Sequence, residues 1–227
     1  MDSKTVNRLI RELVRPLLKE KGFVTFTARS YWRHKPDRIE VINFQSWNWY
    51  NAEVMHITTY SFAVNLGIYF LAIPGYLQFI KEKDGRLLPA EYQCHFRYRP
   101  NKALVQPECR YPDLWYIDPE GEYLGPAVKD ARDAIMGDGL AWFDRLSDKT
   151  AVLRILLEDE EVSPGVGWGF GRRPSPKRSL LTGYIALDLG ERALALAALR
   201  EAFASGCFGH MTDRLQADIR LLDSASD

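Results

Sequence analysis

Cysteine is scarce in this chain: Cys94, Cys109 and Cys207 are the only three in 227 residues. Their odd number and wide spacing leave no disulfide framework and no CxxC redox or zinc pair, so a reducing cytoplasm is the expected compartment. Histidine is sparse as well. His34, His56, His95 and His210 never fall in an HxxxH or HExxH spacing, and no metal site is expected. GxSxG, GK[ST] and the flanking pattern of a thiol enzyme are all missing. Gly165, Gly167, Gly169 and Gly171 alternate, but Phe170 and Arg172 stand where a GxGxxG fingerprint needs glycine. No catalytic residue and no cofactor are therefore assigned.

Net charge is also lacking, with thirty basic and thirty acidic residues. The balance hides an asymmetry, because residues 1–100 carry fifteen basic against nine acidic side chains, and the remainder fifteen against twenty-one. Either the two surfaces attract each other within the molecule, or a basic face is left for a partner. Residues 57–80 carry no charge at all, close to the length of a membrane span. Their period is two, however: Tyr60, Phe62, Val64, Leu66, Ile68 and Phe70 alternate with Ser61, Ala63, Asn65, Gly67 and Tyr69. That pattern predicts a buried strand and no membrane span. Charges scattered through the apolar positions of the first residues break the positive-then-apolar pattern of a signal, and no cleavage there is expected.

Against these absences stand clear helical and strand periods. Val6, Leu9, Ile10, Leu13, Val14, Leu17 and Leu18 predict a helix over about 3–21, kinked at Pro16 and stopped by Gly22. Strands are expected in "FVTFTARSYWRH", in "RIEVINFQSW" after the turn "KPD", over 59–70, over 93–99 and, as a fifth, in "LWYID". From Pro126 helical signals take over, with a break expected at Gly137-Asp138-Gly139 and a short helix near 149–158. The acidic run that follows it reads as a solvated helix end. Two Ala/Leu-rich helices about Gly190 form a hairpin, and a last helix covers about 212–222.

The expectation is an α+β fold: a kinked N-terminal helix on a curved, mostly antiparallel sheet of four or five strands, followed by helices and a C-terminal helical hairpin. The predicted organisation is an α+β domain over 1–162, a Gly/Pro/Arg-rich linker over 163–176 and a helical extension over 177–227. Arg172, Arg173, Lys177 and Arg178 would be the linker's contacts to an anion.

Three groups of side chains are candidates for recognition. Lys4, Arg8, Arg11, Arg15 and Lys19 form a basic stripe along the first helix. Alternation places Phe26, Trp32, Phe62, Val64, Leu66 and Phe96 on the helix-covered face of the sheet. The opposite face would then show Arg29, Tyr31, Arg33, Asn65, Tyr69, His95, Arg97 and Arg99, aromatic and cationic together. Trp47, Trp49 and Tyr50 lie where the second strand ends, in a place suited to contact with a partner. Asn43 and Gln45 interrupt the apolar alternation of that strand, which implies a bulge or an embedded polar network.

The combination of "LIRELVRPLLKEKGF", "RIEVINFQSW" and "FAVNLGIYF" resembles the bacterial domain-of-unknown-function family 4304 over roughly residues 3–130. The resemblance implies no activity and transfers no catalytic residue. The expected function is a non-enzymatic protein-binding module, toxin-neutralising (immunity-like) or accessory, acting on a protein partner. A second reading is nucleic-acid or nucleotide binding, with hydrolysis included, through the Arg/Tyr/His sheet face. A third is a helical-repeat-like adaptor, for which one hairpin falls short of the usual stack.

Overall fold

A computed structural model of the chain describes residues 1–75, 79–158, 167–171 and 174–224. The N-terminal helical segment is divided at Val14 into α1 (Ser3–Leu13) and α2 (Arg15–Glu20). Pro16 lacks the N–H that would continue the ladder, so it sits in the first turn of α2, where no such bond is needed. Asp2 caps α1 by accepting from the Thr5 amide. Gly22, at a φ of 88°, ends α2, and the Phe23 amide returns to the Leu18 carbonyl.

The sheet contains β1 (Thr25–Phe26), β2 (Ser30–His34), β3 (Arg38–Ser46), β4 (Phe62–Phe70) and β7 (Phe96–Tyr98) in that order. A further strand, β8 (Leu114–Trp115), pairs with β4. Every pairing is antiparallel. A separate hairpin of β5 (Lys81–Lys83) and β6 (Arg86–Leu88) turns at Asp84-Gly85, both at positive φ. Between β3 and β4 runs α3 (Trp49–Val54).

One face of the sheet is buried under α1, α2 and the later helices. Phe26, Tyr31, Phe44, Phe62 and Trp115 form a chain of rings with successive centroids 6.2, 6.2, 5.6 and 5.8 Å apart. Helices α4 (Leu124–Ala134) and α5 (Leu140–Arg145) are joined by a π-helical turn, Ile135–Gly139, in place of the expected break. Trp142 and Phe143 from α5 enter this core. So do residues of α6 (Lys149–Leu157), α7 (Pro176–Asp188), α8 (Arg192–Ala204) and α9 (Thr212–Ser224).

The C-terminal helices thus share the core of the sheet, which they reach through α7, buried along most of its length. The linker expected over 163–176 falls partly outside the described residues, Arg172 and Arg173 included. Its described part is packed. Trp168 exchanges two backbone hydrogen bonds of 2.7 Å with Arg97, and the Phe170 ring lies 4.8 Å from Phe96. Arg178, expected to be an exposed contact, is buried and donates to the carbonyls of Gly171 and Glu158.

Candidate functional site

The second face of the sheet is where Asn65, His95, Arg97 and Arg99 were expected, and these four do come together there. Register places Asn65 opposite Asn43 and Gly67 opposite Arg97. Tyr31 and Arg33 do not join them. Between Phe26 and Tyr31 the chain folds back, with the Thr27 hydroxyl accepting from the amides of Arg29 and Ser30, so β1 and β2 are a hairpin and not one strand. The alternation therefore changes phase across the turn. Tyr31 enters the helix-side core, while Trp32 moves to the opposite face beside Ile39, Val41, Tyr69 and Cys94. Arg33 also faces the helices, sharing the fully buried Glu40 carboxylate with Arg38.

The polar groups on the second face are tied to each other. Arg99 Nε donates to Asn65 Oδ1 at 2.5 Å, one of its Nη groups to Gln45 Oε1 at 3.0 Å and the other to Asp113 Oδ2 at 3.2 Å. Asn65 Nδ2 donates to Gln45 Oε1 at 2.8 Å. Arg97 Nε donates to Glu91 Oε1 at 2.5 Å. The register through Asn43 and Gln45 is unbroken, so the polar interruption in β3 marks a network and not a bulge. Its carboxylate members, Asp113 and Glu91, have no local sequence signal, because they meet their arginines only through the fold.

His95 is fully buried, stacked 4.6 Å from the Tyr69 ring, and its Nδ1 accepts from the Phe70 amide at 2.9 Å. Burial pulls its pKa down to about 3, with Lys177 adding to the shift, so it stands as a neutral acceptor at neutral pH. Burial and the nearby Arg97 lower Lys177 to about 8. The β5–β6 hairpin and the segment after it cover the adjoining apolar part of this face. There Trp32 Nε1 donates to the Pro89 carbonyl at 2.8 Å, and His34 Nε2 lies 2.9 Å from the Leu87 carbonyl.

The aromatic edge is arranged differently. Asn48 caps α3 by accepting from the Asn51 amide at 2.8 Å, and buried Ala52 anchors the helix. His56, at a φ of 54°, ends it, with the Ile57 amide bonded to the Ala52 carbonyl. Trp49 and Tyr50 are 69% and 66% exposed, Trp47 is half-buried, and Val54 is 61% exposed one turn after Tyr50. Val54 was not among the predicted residues, although its i,i+4 spacing from Tyr50 would have placed it there.

The basic stripe divides in two. Lys4, Arg8, Arg11 and Lys19 are exposed, whereas Arg15 is half-buried, its guanidinium 4.3 Å from the Phe26 ring centre and donating to the Thr27 carbonyl at 3.0 Å. Arg29 lies against α1, where its Nε donates to Asn7 Oδ1 at 2.7 Å. Among the described residues no three or more His, Cys, Asp and Glu side chains gather as a metal site, and no helix is long and apolar enough to cross a membrane.

A family model described as Domain of unknown function (DUF4304) matches residues 14–145. No curated protein and no solved structure matches the chain.

Proposed function

We propose that this chain, which belongs to the family of the domain of unknown function DUF4304, is a non-enzymatic protein-binding module whose contact surface is the α3 edge. The observation that carries this reading is a contrast in how polar and aromatic groups are used. Arg97, Arg99, Asn65 and Gln45 are committed to internal partners, while Trp49, Tyr50 and Val54 stand together in solvent on a capped helix. Large aromatic side chains held rigidly on an edge are the usual anchors of a protein interface.

The partner's chemistry follows from the surroundings. The 27–30 turn leaves the sheet at the same end as α3, since the Phe44 amide bonds to the Arg29 carbonyl just before β3 ends. The exposed Trp49, Tyr50 and Val54 at that end fit a partner protein with an apolar pocket. A toxin-neutralising or accessory role in a bacterial cytoplasm accords with this surface and with three free cysteines, two of them buried.

Reading nucleic acid through the sheet face would require Arg97 and Arg99 to exchange carboxylate and amide partners for phosphate. A free-standing helical adaptor would require α7 to leave a core in which it is buried along most of its length. Photo-crosslinking tests the proposal. A photoreactive phenylalanine derivative replacing Tyr50 should capture one protein from source cells at one-to-one stoichiometry, and the same group replacing exposed Leu221 should not. Equal capture from both positions, or none from position 50, would sink the proposal.

A further inference from the structure

Between α1 and the 27–30 turn lies a cleft of about 400 Å³ lined by Lys4, Thr5, Asn7, Arg8, Arg11, Arg15 and Ala28. We infer that this cleft is a binding site for the phosphoryl dianion of a small phosphorylated molecule, held by Arg8, Arg11, Arg15 and Lys4 with Arg29 behind the Asn7 wall. The inference goes beyond the α3 docking edge and does not rest on it.

Cation density alone would be a solvated helix face. Two unmet donors, one on the lining Arg15 and one on Arg29, which bonds the lining Asn7, separate this cleft from such a face. Arg15 Nε and Arg29 Nη1 are both buried and hydrogen-bonded to nothing among the described residues. Neither arginine, nor Lys4, Arg8 or Arg11, makes an ion pair among the described residues. Both arginines are half-buried, and guanidinium groups drawn from water are normally matched by a carboxylate, as Arg33 and Arg38 are by Glu40. Arg29 meets a neutral amide oxygen instead, Asn7 Oδ1, and burial lowers its pKa with no anion to oppose the shift. The Asp2 carboxylate beside the cleft is already used by the Thr5 amide and hydroxyl.

Planar guanidinium donors from α1 and from the first residue of α2, lining one cleft, match a tetrahedral dianion, to which such donors bind in pairs. The volume is within the range of small-ligand clefts, and two classes of site are thereby distinguished: inorganic phosphate would use only the cations, whereas a sugar phosphate would also reach Thr5 and Asn7.

Isothermal titration with inorganic phosphate, with ribose 5-phosphate and with ribose, at matched ionic strength, tests the inference on the full chain. Both phosphates should bind and ribose should not. Tighter binding of ribose 5-phosphate identifies a phosphate monoester as the ligand class, and equal binding identifies free phosphate. Arg8→Gln/Arg11→Gln, at exposed positions, should weaken binding at least 10-fold. Asn7→Asp gives Arg29 the counter-charge it lacks, so that variant should melt no lower than the native chain and lose phosphate binding. Absence of binding to either phosphate at millimolar concentration, or undiminished binding by a folded Asn7→Asp chain, would overturn the inference. Trp49→Ala/Tyr50→Ala should leave phosphate binding unchanged, which separates this site from the α3 edge.

Discussion

Replacing Arg99 by Met removes three donated bonds while keeping much of the side chain's apolar length. The most costly consequence is at Asn65, which is 1% exposed and would lose the 2.5 Å donor to its Oδ1. A charge-assisted bond of this kind contributes about 1.5–3 kcal/mol, and a buried acceptor left without a partner falls in the same range. The bond to Gln45 is softened by the Asn65 Nδ2 donor that remains on the same oxygen. The Asp113 pair is partly solvated and adds about 1 kcal/mol or less. Together these give a loss of about 2–4 kcal/mol, read as a lower urea midpoint by tryptophan fluorescence at pH 7. Asn65→Leu combined with Arg99→Met removes both sides of the buried bond, so the double variant should cost less than the sum of the singles by about 1 kcal/mol. An unchanged midpoint for Arg99→Met, or strict additivity, would refute the view that this face is an internal network.

The neutral His95 gives a pH signature. Its folded pKa of about 3 lies below the ordinary 6.5, so between those values the unfolded chain binds a proton that the folded chain refuses. Stability is therefore complete above pH 6.5 and falls by about 1.4 kcal/mol per unit as pH drops toward 3. Urea titrations of the native chain and His95→Gln check this, since carboxylates common to both cancel and only the native chain should carry the extra slope. At Gly67 an added Cβ would lie 2.6 Å from Cys94 Sγ and 2.8 Å from its Cβ. Gly67→Ala is expected to cost about 1–3 kcal/mol by overpacking, with part of the loss recovered by Cys94→Ala in thermal melts.

Helices were legible because their signals are local. The Pro16 division, the Gly22 stop and the three C-terminal helices all follow from period and punctuation within a dozen residues. Alternation made β3 and β4 legible as strands but not their pairing, and the interruption at Asn43 and Gln45 left bulge and network equally open until the unbroken register excluded the bulge. The failure at Tyr31 and Trp32 came from counting alternation through a turn whose only sign was Thr27 and Ser30. The β5–β6 hairpin has an Asp-Gly turn signal, but its two strands of three residues are too short and too polar to show alternation. Partners of Arg97 and Arg99 were illegible in principle, since Glu91 and Asp113 reach them through tertiary folding. So was the difference between Arg29 and Arg33, two arginines four residues apart, of which only the second meets a carboxylate.

Recognition at the α3 edge is tested most directly by the affinity of the crosslinked partner for a Trp49→Ala/Tyr50→Ala chain whose urea midpoint matches the native one. Both side chains are exposed, so folding should be unaffected, and the loss of two aromatic anchors should cost about 2 kcal/mol or more, at least roughly 30-fold in Kd. Arg99→Met, in its folded fraction, should bind as the native chain does. Native affinity in the Trp49→Ala/Tyr50→Ala chain, with binding lost in Arg99→Met, would contradict the account and return recognition to the sheet face.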